Sequence, residues 1–242
     1  MRKKILKSIV FVLIVLVIAL SLWINGSYSP SDRALKFGVS TEVVNITEDK
    51  YGINFKPIFE AKASGVIFYP GGKVEPEAYN PLAYALAEQG YLTTVVKMPL
   101  NLAVLDADGG KKIIQRHPKV KYWYIGGHSL GGAMAGNFAS DYSDIIEGVY
   151  FLGAYPVKDL TELDIDVLLI NGSLDGIINQ KKLSDGATLI PKDSKNIIIP
   201  GGNHSQFGSY GLQKKDNKAR ITRKEQQSKT VHLIIEMIEN RQ

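Results

Sequence analysis

Three short stretches of the chain hold the residue types that nucleophilic catalysis needs: "GGHSLGG" around Ser129, "NGSLDG" containing Asp175 and "GGNH" ending at His204. A serine hydroxyl is a weak nucleophile at neutral pH. It becomes an effective one when a histidine takes its proton and an acid holds that histidine in place. Gly127, Ser129 and Gly131 match the pattern of a serine set on a sharp turn between a strand and a helix, where the flanking positions must lack bulky side chains. The context fits that pattern, because "KYWYI" before the serine is strand-like and "LGGAMAGNFAS" after it reads as a helix of small residues.

The base follows by elimination among four histidines. His117 precedes the strand that leads to the serine, so it belongs to the opposite end of a parallel sheet. A sharp turn points His128 away from its neighbour Ser129, and His232 sits in the last helix. His204 stands in a glycine-rich loop after a β-rich run, at the carboxyl end of a strand, where open α/β sheets collect their ligands. The acid should share that edge. Asp175 lies just beyond the run "DVLLI", whereas Asp164 and Asp166 precede it and Asp141 and Asp144 belong to the helix after Ser129 or its end. Donors for a developing oxyanion are expected from the backbone N–H of Leu130 and from Gly72 or Lys73 in "YPGGK". Lys73, Lys97 and Tyr210 are further candidates to face the site.

These residues require a frame of alternating elements. Eight strand-like runs are expected: "TEVVNIT" and "YGINFKPIF" as an antiparallel pair, then "SGVIFYP", "LTTVVKM", "YWYIGG", "GVYFLGA", "DVLLING" and "KNIIIPGG". The clearest helical patterns cover 77–89, 130–140 and 230–241. Such alternation predicts a mostly parallel sheet covered by helices on both faces.

With these motifs in the order Ser, Asp, His, the chain from about Thr41 to Arg241 resembles an α/β-hydrolase. It is most similar to compact dienelactone-hydrolase-like enzymes, since little sequence is left for a separate cap. Those enzymes usually carry cysteine where this chain has Ser129, and lipases with an HGGG loop carry histidine where it has Pro70. The resemblance implies an eight-stranded fold and the triad, and it does not transfer a substrate.

Composition narrows the setting. The chain of 242 residues has no cysteine, which excludes disulfides and thiolate chemistry. Its net charge of +5 owes four charges to Arg2, Lys3, Lys4 and Lys7, and the remainder is about neutral, so no nucleic-acid partner is expected. Ser8 to Ile24 run without a charge. The expected organisation is a cytoplasmic basic stub over 1–7, a transmembrane anchor over 8–24, a linker over 25–40 and a hydrolase domain over 41–242, outside the cytoplasm by the positive-inside rule. A cleaved signal peptide is the competing reading, with Ala19-Leu20-Ser21 as its one candidate cleavage site. Asn-x-Ser/Thr sequons begin at Asn25, Asn45, Asn171 and Asn203, and two of them fall in the candidate loops, where a glycan would obstruct the site.

The expected activity is that of a membrane-anchored serine hydrolase acting on small esters, lactones or related acyl compounds through an acyl-enzyme, with no metal or organic cofactor. An acyltransferase using the same triad and a non-catalytic surface-binding module on this scaffold are the alternatives. The segment 214–229 carries seven basic and two acidic residues, a patch that would attract an anionic substrate.

Overall fold

The computed structural model describes residues 2–24 and 26–241, and within the first helix the side chains of residues 5–15, 17 and 21. Eight strands form one sheet: β1 (Val44–Glu48), β2 (Gly52–Pro57), β3 (Ser64–Tyr69), β4 (Leu92–Val96), β5 (Tyr122–His128), β6 (Gly148–Leu152), β7 (Asp166–Gly172) and β8 (Lys195–Ile199). Their spatial order is β1-β2-β4-β3-β5-β6-β7-β8. The β1–β2 and β2–β4 pairs are antiparallel, and every pair from β4 to β8 is parallel. The expected eight strands and antiparallel entry are thus present.

Alternation along the central strands sorts side chains into two apolar layers. Val66 and Phe68 of β3 and Tyr150 and Leu152 of β6 join one layer, with α3 (Asn80–Glu88) and α7 (Arg223–Arg241). Ile67 and Tyr69, with Val149 and Phe151, join the other, with α4 (Gly109–Arg116) and α5 (Leu130–Asp141). Burial on both faces explains why these strands read as unbroken apolar runs. Because β4 lies on one side of β3 and β5 on the other, the winding reverses at β3 and β5. A reversal of this kind opens a crevice at the carboxyl ends of the strands.

Helix bounds differ from the sequence expectation in two places. The segment expected as one helix over 77–89 begins as a 3-10 turn, Pro76–Tyr79, before α3. Helix α7 starts at Arg223, seven residues before the expected 230, inside the basic run. Its start is a capping box: Thr222 N–H donates to the Glu225 carboxylate at 2.7 Å, and Glu225 N–H donates to Thr222 Oγ1 at 3.2 Å.

The amino-terminal helix α1 (Arg2–Ile24) has 23 residues. Its described apolar side chains from Ile5 to Val17 are exposed. Within the anchor expected over 8–24, the side chains of residues 16, 18–20 and 22–24 lie outside those described, and among the described residues no helix is long and apolar enough to cross a membrane.

The linker expected over 25–40 does not hang loose over its length, because much of it is held on the domain. Tyr28 forms a parallel bridge with Val74, its N–H donating to Lys73 O at 2.7 Å while its carbonyl accepts from Glu75 N–H at 3.1 Å. Ser31 then caps a short helix, α2 (Asp32–Lys36), which buries Ala34 completely. The polar composition that suggested a tether instead supplies caps and edge hydrogen bonds.

Candidate active site

Strand β5 ends at His128, α5 starts at Leu130, and Ser129 makes the corner between them with φ 52° and ψ −122°. A non-glycine residue in that region is strained, by roughly 1–3 kcal/mol, and persists only where its surroundings enforce it. Here the flanking glycines do so. A Cβ at Gly127 would come within 2.4 Å of Tyr69 O and 2.8 Å of Gly131 C, and one at Gly131 within 2.2 Å of Tyr69 O. Helix α5 therefore lies directly against the end of β3, and any side chain at either position would force the corner open.

The loop after β7 brings Asp175 to the same edge, and the loop after β8 brings His204. Asp175 Oδ2 lies 2.7 Å from His204 Nδ1, and both side chains are 1% exposed. The other carboxylate oxygen accepts the N–H groups of Ile177 and Ile178, each at 2.8 Å, so the acid is locked in orientation. With Nδ1 engaged by the carboxylate, Nε2 is the nitrogen left for proton transfer. It is buried with no hydrogen-bond partner in this structure, Ser129 Oγ included. Gly153, at φ 52°, follows β6 and backs onto the pair: a Cβ there would lie 2.8 Å from His204 Nδ1 and 3.2 Å from Asp175 Oδ2. Ser129 N–H donates to Leu152 O at 2.9 Å, which places the serine one residue from that contact.

Of the two candidates for the oxyanion donor expected after β3, Gly72 and Lys73, one has its N–H engaged elsewhere. Lys73 N–H donates to Asn101 O at 2.8 Å and is not available to a ligand. That bond directs the Lys73 amide to the loop at 99–105. Gly72 keeps the right address, since a Cβ on it would stand 3.0 Å from Leu130 Cδ2. Leu130 is the first residue of α5, whose leading N–H groups have no partner within the helix and carry its positive dipole end. Ser129, Leu130 and Gly72 are all partly exposed. Lys97 is paired with Glu48, and Tyr210 is buried at 1% exposure in the layer behind His128.

The other histidines and acids fall outside this cluster. His117 packs toward Asn54 and Trp123, lining an open groove of about 950 Å3 with Lys62, Leu92, Arg116 and Lys121 at the opposite edge of the sheet. His232 is exposed on α7, and Asp164 and Asp166 accept from Arg241. Asn171 and Asn203, whose sequons fall beside the site, are 3% and 2% exposed, so a glycan on either is incompatible with the fold.

His128 is not idle. Tyr79 Oη accepts the Gly71 N–H at 3.0 Å and lies 2.8 Å from His128 Nδ1, so the tyrosine proton goes to that ring nitrogen. Burial, and then the adjacent His204 ring at 4.4 Å between centroids, hold the His128 pKa well below its ordinary 6.5. Folding thus keeps His128 neutral. The stability this confers is present above the unfolded-state pKa and lost as pH falls below it, by up to about 1.4 kcal/mol per pH unit. Thermal scans from about pH 7.5 down to about pH 5 should show the melting temperature falling more steeply for the wild type than for His128→Asn; parallel curves would contradict this account of His128.

Two residues that hold the site are unmarked in the sequence. Asp216 accepts four hydrogen bonds, from Gly176 N–H at 3.0 Å, Asn217 N–H at 2.9 Å, Ser205 N–H at 2.8 Å and Ser205 Oγ at 2.6 Å. It joins the residue after Asp175 to the residue after His204. Gln226, fully buried at the start of α7, brackets Asn203 by accepting its N–H at 3.0 Å and donating to its carbonyl at 2.7 Å.

The chain belongs to the alpha/beta hydrolase family, whose model matches residues 65–228. Among solved structures it is similar to a dienelactone hydrolase from Anabaena variabilis, with a TM-score of 0.60 and 15% identity over 81% of this chain and 98% of that one. It is also similar to a predicted CIB-like hydrolase from Thermoplasma acidophilum (TM-score 0.59, 16% identity, 79% of this chain and 98% of that one). A novel esterase from Mycobacterium tuberculosis matches with a TM-score of 0.58 and 12% identity over 86% of this chain and 95% of that one. No curated protein matches the chain. At these identities the likeness is one of fold, and the family supports a hydrolase.

Proposed function

We propose that this protein is a membrane-anchored serine hydrolase that cleaves small carboxylic esters, lactones or related acyl compounds through an acyl-enzyme on Ser129. The observation that carries the reading is the buried Asp175–His204 pair, 2.7 Å apart, on the edge that also presents a strained serine at a strand-to-helix corner. Asp175 fixes the imidazole with its proton on Nδ1, so Nε2 takes the Ser129 proton as Oγ attacks the carbonyl carbon. The carbonyl oxygen gains the negative charge and is met by the N–H groups of Leu130 and Gly72. His204 then hands its proton to the departing alkoxide. Water, activated by the same nitrogen, attacks the acyl carbon, releases the acid and returns the proton to Ser129.

Anchoring is supported by α1, whose described apolar side chains from Ile5 to Val17 are exposed. An apolar surface of that kind has no place in water, and a bilayer is a physical setting that covers it. The basic residues Arg2, Lys3, Lys4 and Lys7 put its start in the cytoplasm and the hydrolase domain on the far side. The basic stretch 214–229 favours anionic substrates.

A fluorophosphonate probe tests the reading. The wild type should become covalently labelled and should hydrolyse p-nitrophenyl acetate, and Ser129→Ala should do neither. Labelling that persists in the alanine variant places the nucleophile elsewhere.

A further inference from the structure

The first residues of the linker that follows α1 are tied to the loop that flanks Gly72. Ser27 accepts a hydrogen bond from Asn101 Nδ2 at 3.2 Å, and Asn101 O holds the N–H of Lys73, the neighbour of Gly72. Only two residues lie between Ser27 and the end of α1 at Ile24, three Cα–Cα steps in all. A fully extended chain of that length spans about 11 Å at most. If α1 ends at the hydrocarbon boundary, much of that distance is taken by the headgroup layer, roughly 5–7 Å deep on each side. Whatever the tilt of the helix, Ser27 remains within about 11 Å of the end of α1, and the Asn101 side chain is hydrogen-bonded to it at 3.2 Å.

That loop, "PLNLAVL" over 99–105, has the surface such a place requires. It contains no charge, and Leu100, Val104 and Leu105 are 41%, 51% and 52% exposed. Leu100 and Asn101 both stand at positive φ, 53° and 55°, a conformation that turns the leucine outward and is enforced by the Asn101 hydrogen bonds. The loop's other side is part of the candidate site: Leu102 Cδ2 comes within 3.9 Å of a Cβ built on Gly72, and the turn Ala103–Leu105 packs on α5. The first charged residue after it, Asp106, is turned back to Lys112 at 2.8 Å.

We infer that residues 99–105 are a second membrane contact: Leu100, Val104 and Leu105 rest in the headgroup layer of the bilayer that holds α1, and the mouth over Ser129 opens at the membrane surface. This rests on the anchor reading. An enzyme so placed meets acyl compounds that partition into the interface before those in bulk water.

The absence of cysteine permits a direct test on the full chain. Val104→Cys and, as a control, Ile58→Cys are each labelled with an environment-sensitive fluorophore and reconstituted into phosphatidylcholine vesicles carrying spin-labelled headgroups or acyl chains. Ile58 is 56% exposed just past β2, at the opposite edge of the sheet. The label at 104 should shift to shorter wavelength and be quenched several-fold more than the label at 58. Equal, weak quenching at both positions in protein that floats with the vesicles overturns the inference and leaves the anchor standing. Protein that does not float overturns both. A label at 104 that is shielded from lipid quenchers but self-quenches between copies assigns the patch to a second molecule, and the inference fails.

Discussion

Replacing His204 by alanine should lower kcat for ester hydrolysis by about 10³- to 10⁴-fold while the protein remains folded. In the proposed mechanism the His204 imidazole takes the Ser129 proton; burial holds the pKa of the neighbouring His128 well below its ordinary value, which makes it the poorer proton acceptor. Asp175→Asn should cause a loss of similar order by a different route. Its carboxylate accepts from Nδ1 and two backbone amides, and an asparagine that keeps those amides on its oxygen presents NH2 to the ring, which selects the wrong tautomer. Since the two residues act as one unit, the double variant should be no worse than about the more damaging single one. Losses that multiply would show that they act independently. His232→Gln and Asp164→Asn are the controls, with rates near wild type, because one is exposed on α7 and the other accepts from Arg241 far from the serine.

The second large effect is expected at a residue that touches none of the reacting atoms. Asp216→Ala removes four hydrogen bonds at once and frees the acid loop from the base loop. A displacement of about 1 Å between catalytic groups can cost about 10²-fold. The loss should appear in kcat, with KM for a small ester little changed, since Asp216 lies behind His204 and away from the substrate. Hydrogen bonds to a charged group contribute about 1.5–3 kcal/mol each, and partial rehydration of Gly176 and Ser205 leaves a net destabilisation of about 2 kcal/mol. Asp216→Asn retains one acceptor and should recover part of the rate. An Asp216→Ala enzyme with wild-type kcat would show that the Asp175–His204 pair needs no support from this loop.

How far such residues can be read in advance depends on the range of the physics that places them. Ser129 is legible because the turn it occupies demands small neighbours within two positions, and the sequence supplies them as glycines. Asp175 and His204 are legible from their address, one loop after each of two apolar strands. Asp216 and Gln226 are not, because their partners lie 11 and 23 residues away across irregular loops and a buried polar residue leaves no local pattern. Both sit in a basic run that resembles a solvated face. The second oxyanion donor divides the same way: the glycine-rich loop is visible, but that the Lys73 amide is engaged elsewhere is decided by its bond to Asn101, a residue distant in the sequence. Residues 27–31 carried turn-forming composition, and their pairing with Val74 and Ser209 depends on an edge that exists only once the domain has folded. The early start of α7 did have a signal, the Thr222 and Glu225 spacing of a capping box, which the surrounding charges obscured.

The residue on which the covalent bond forms identifies the nucleophile directly. Full-length protein inactivated with a fluorophosphonate should be digested and its peptides mapped by mass spectrometry. One phosphonyl group per chain on Ser129, with labelling slowed in parallel in His204→Ala and Asp175→Asn, is the result expected. A label on any other residue, or labelling of Ser129 at an undiminished rate in both variants, would contradict the triad.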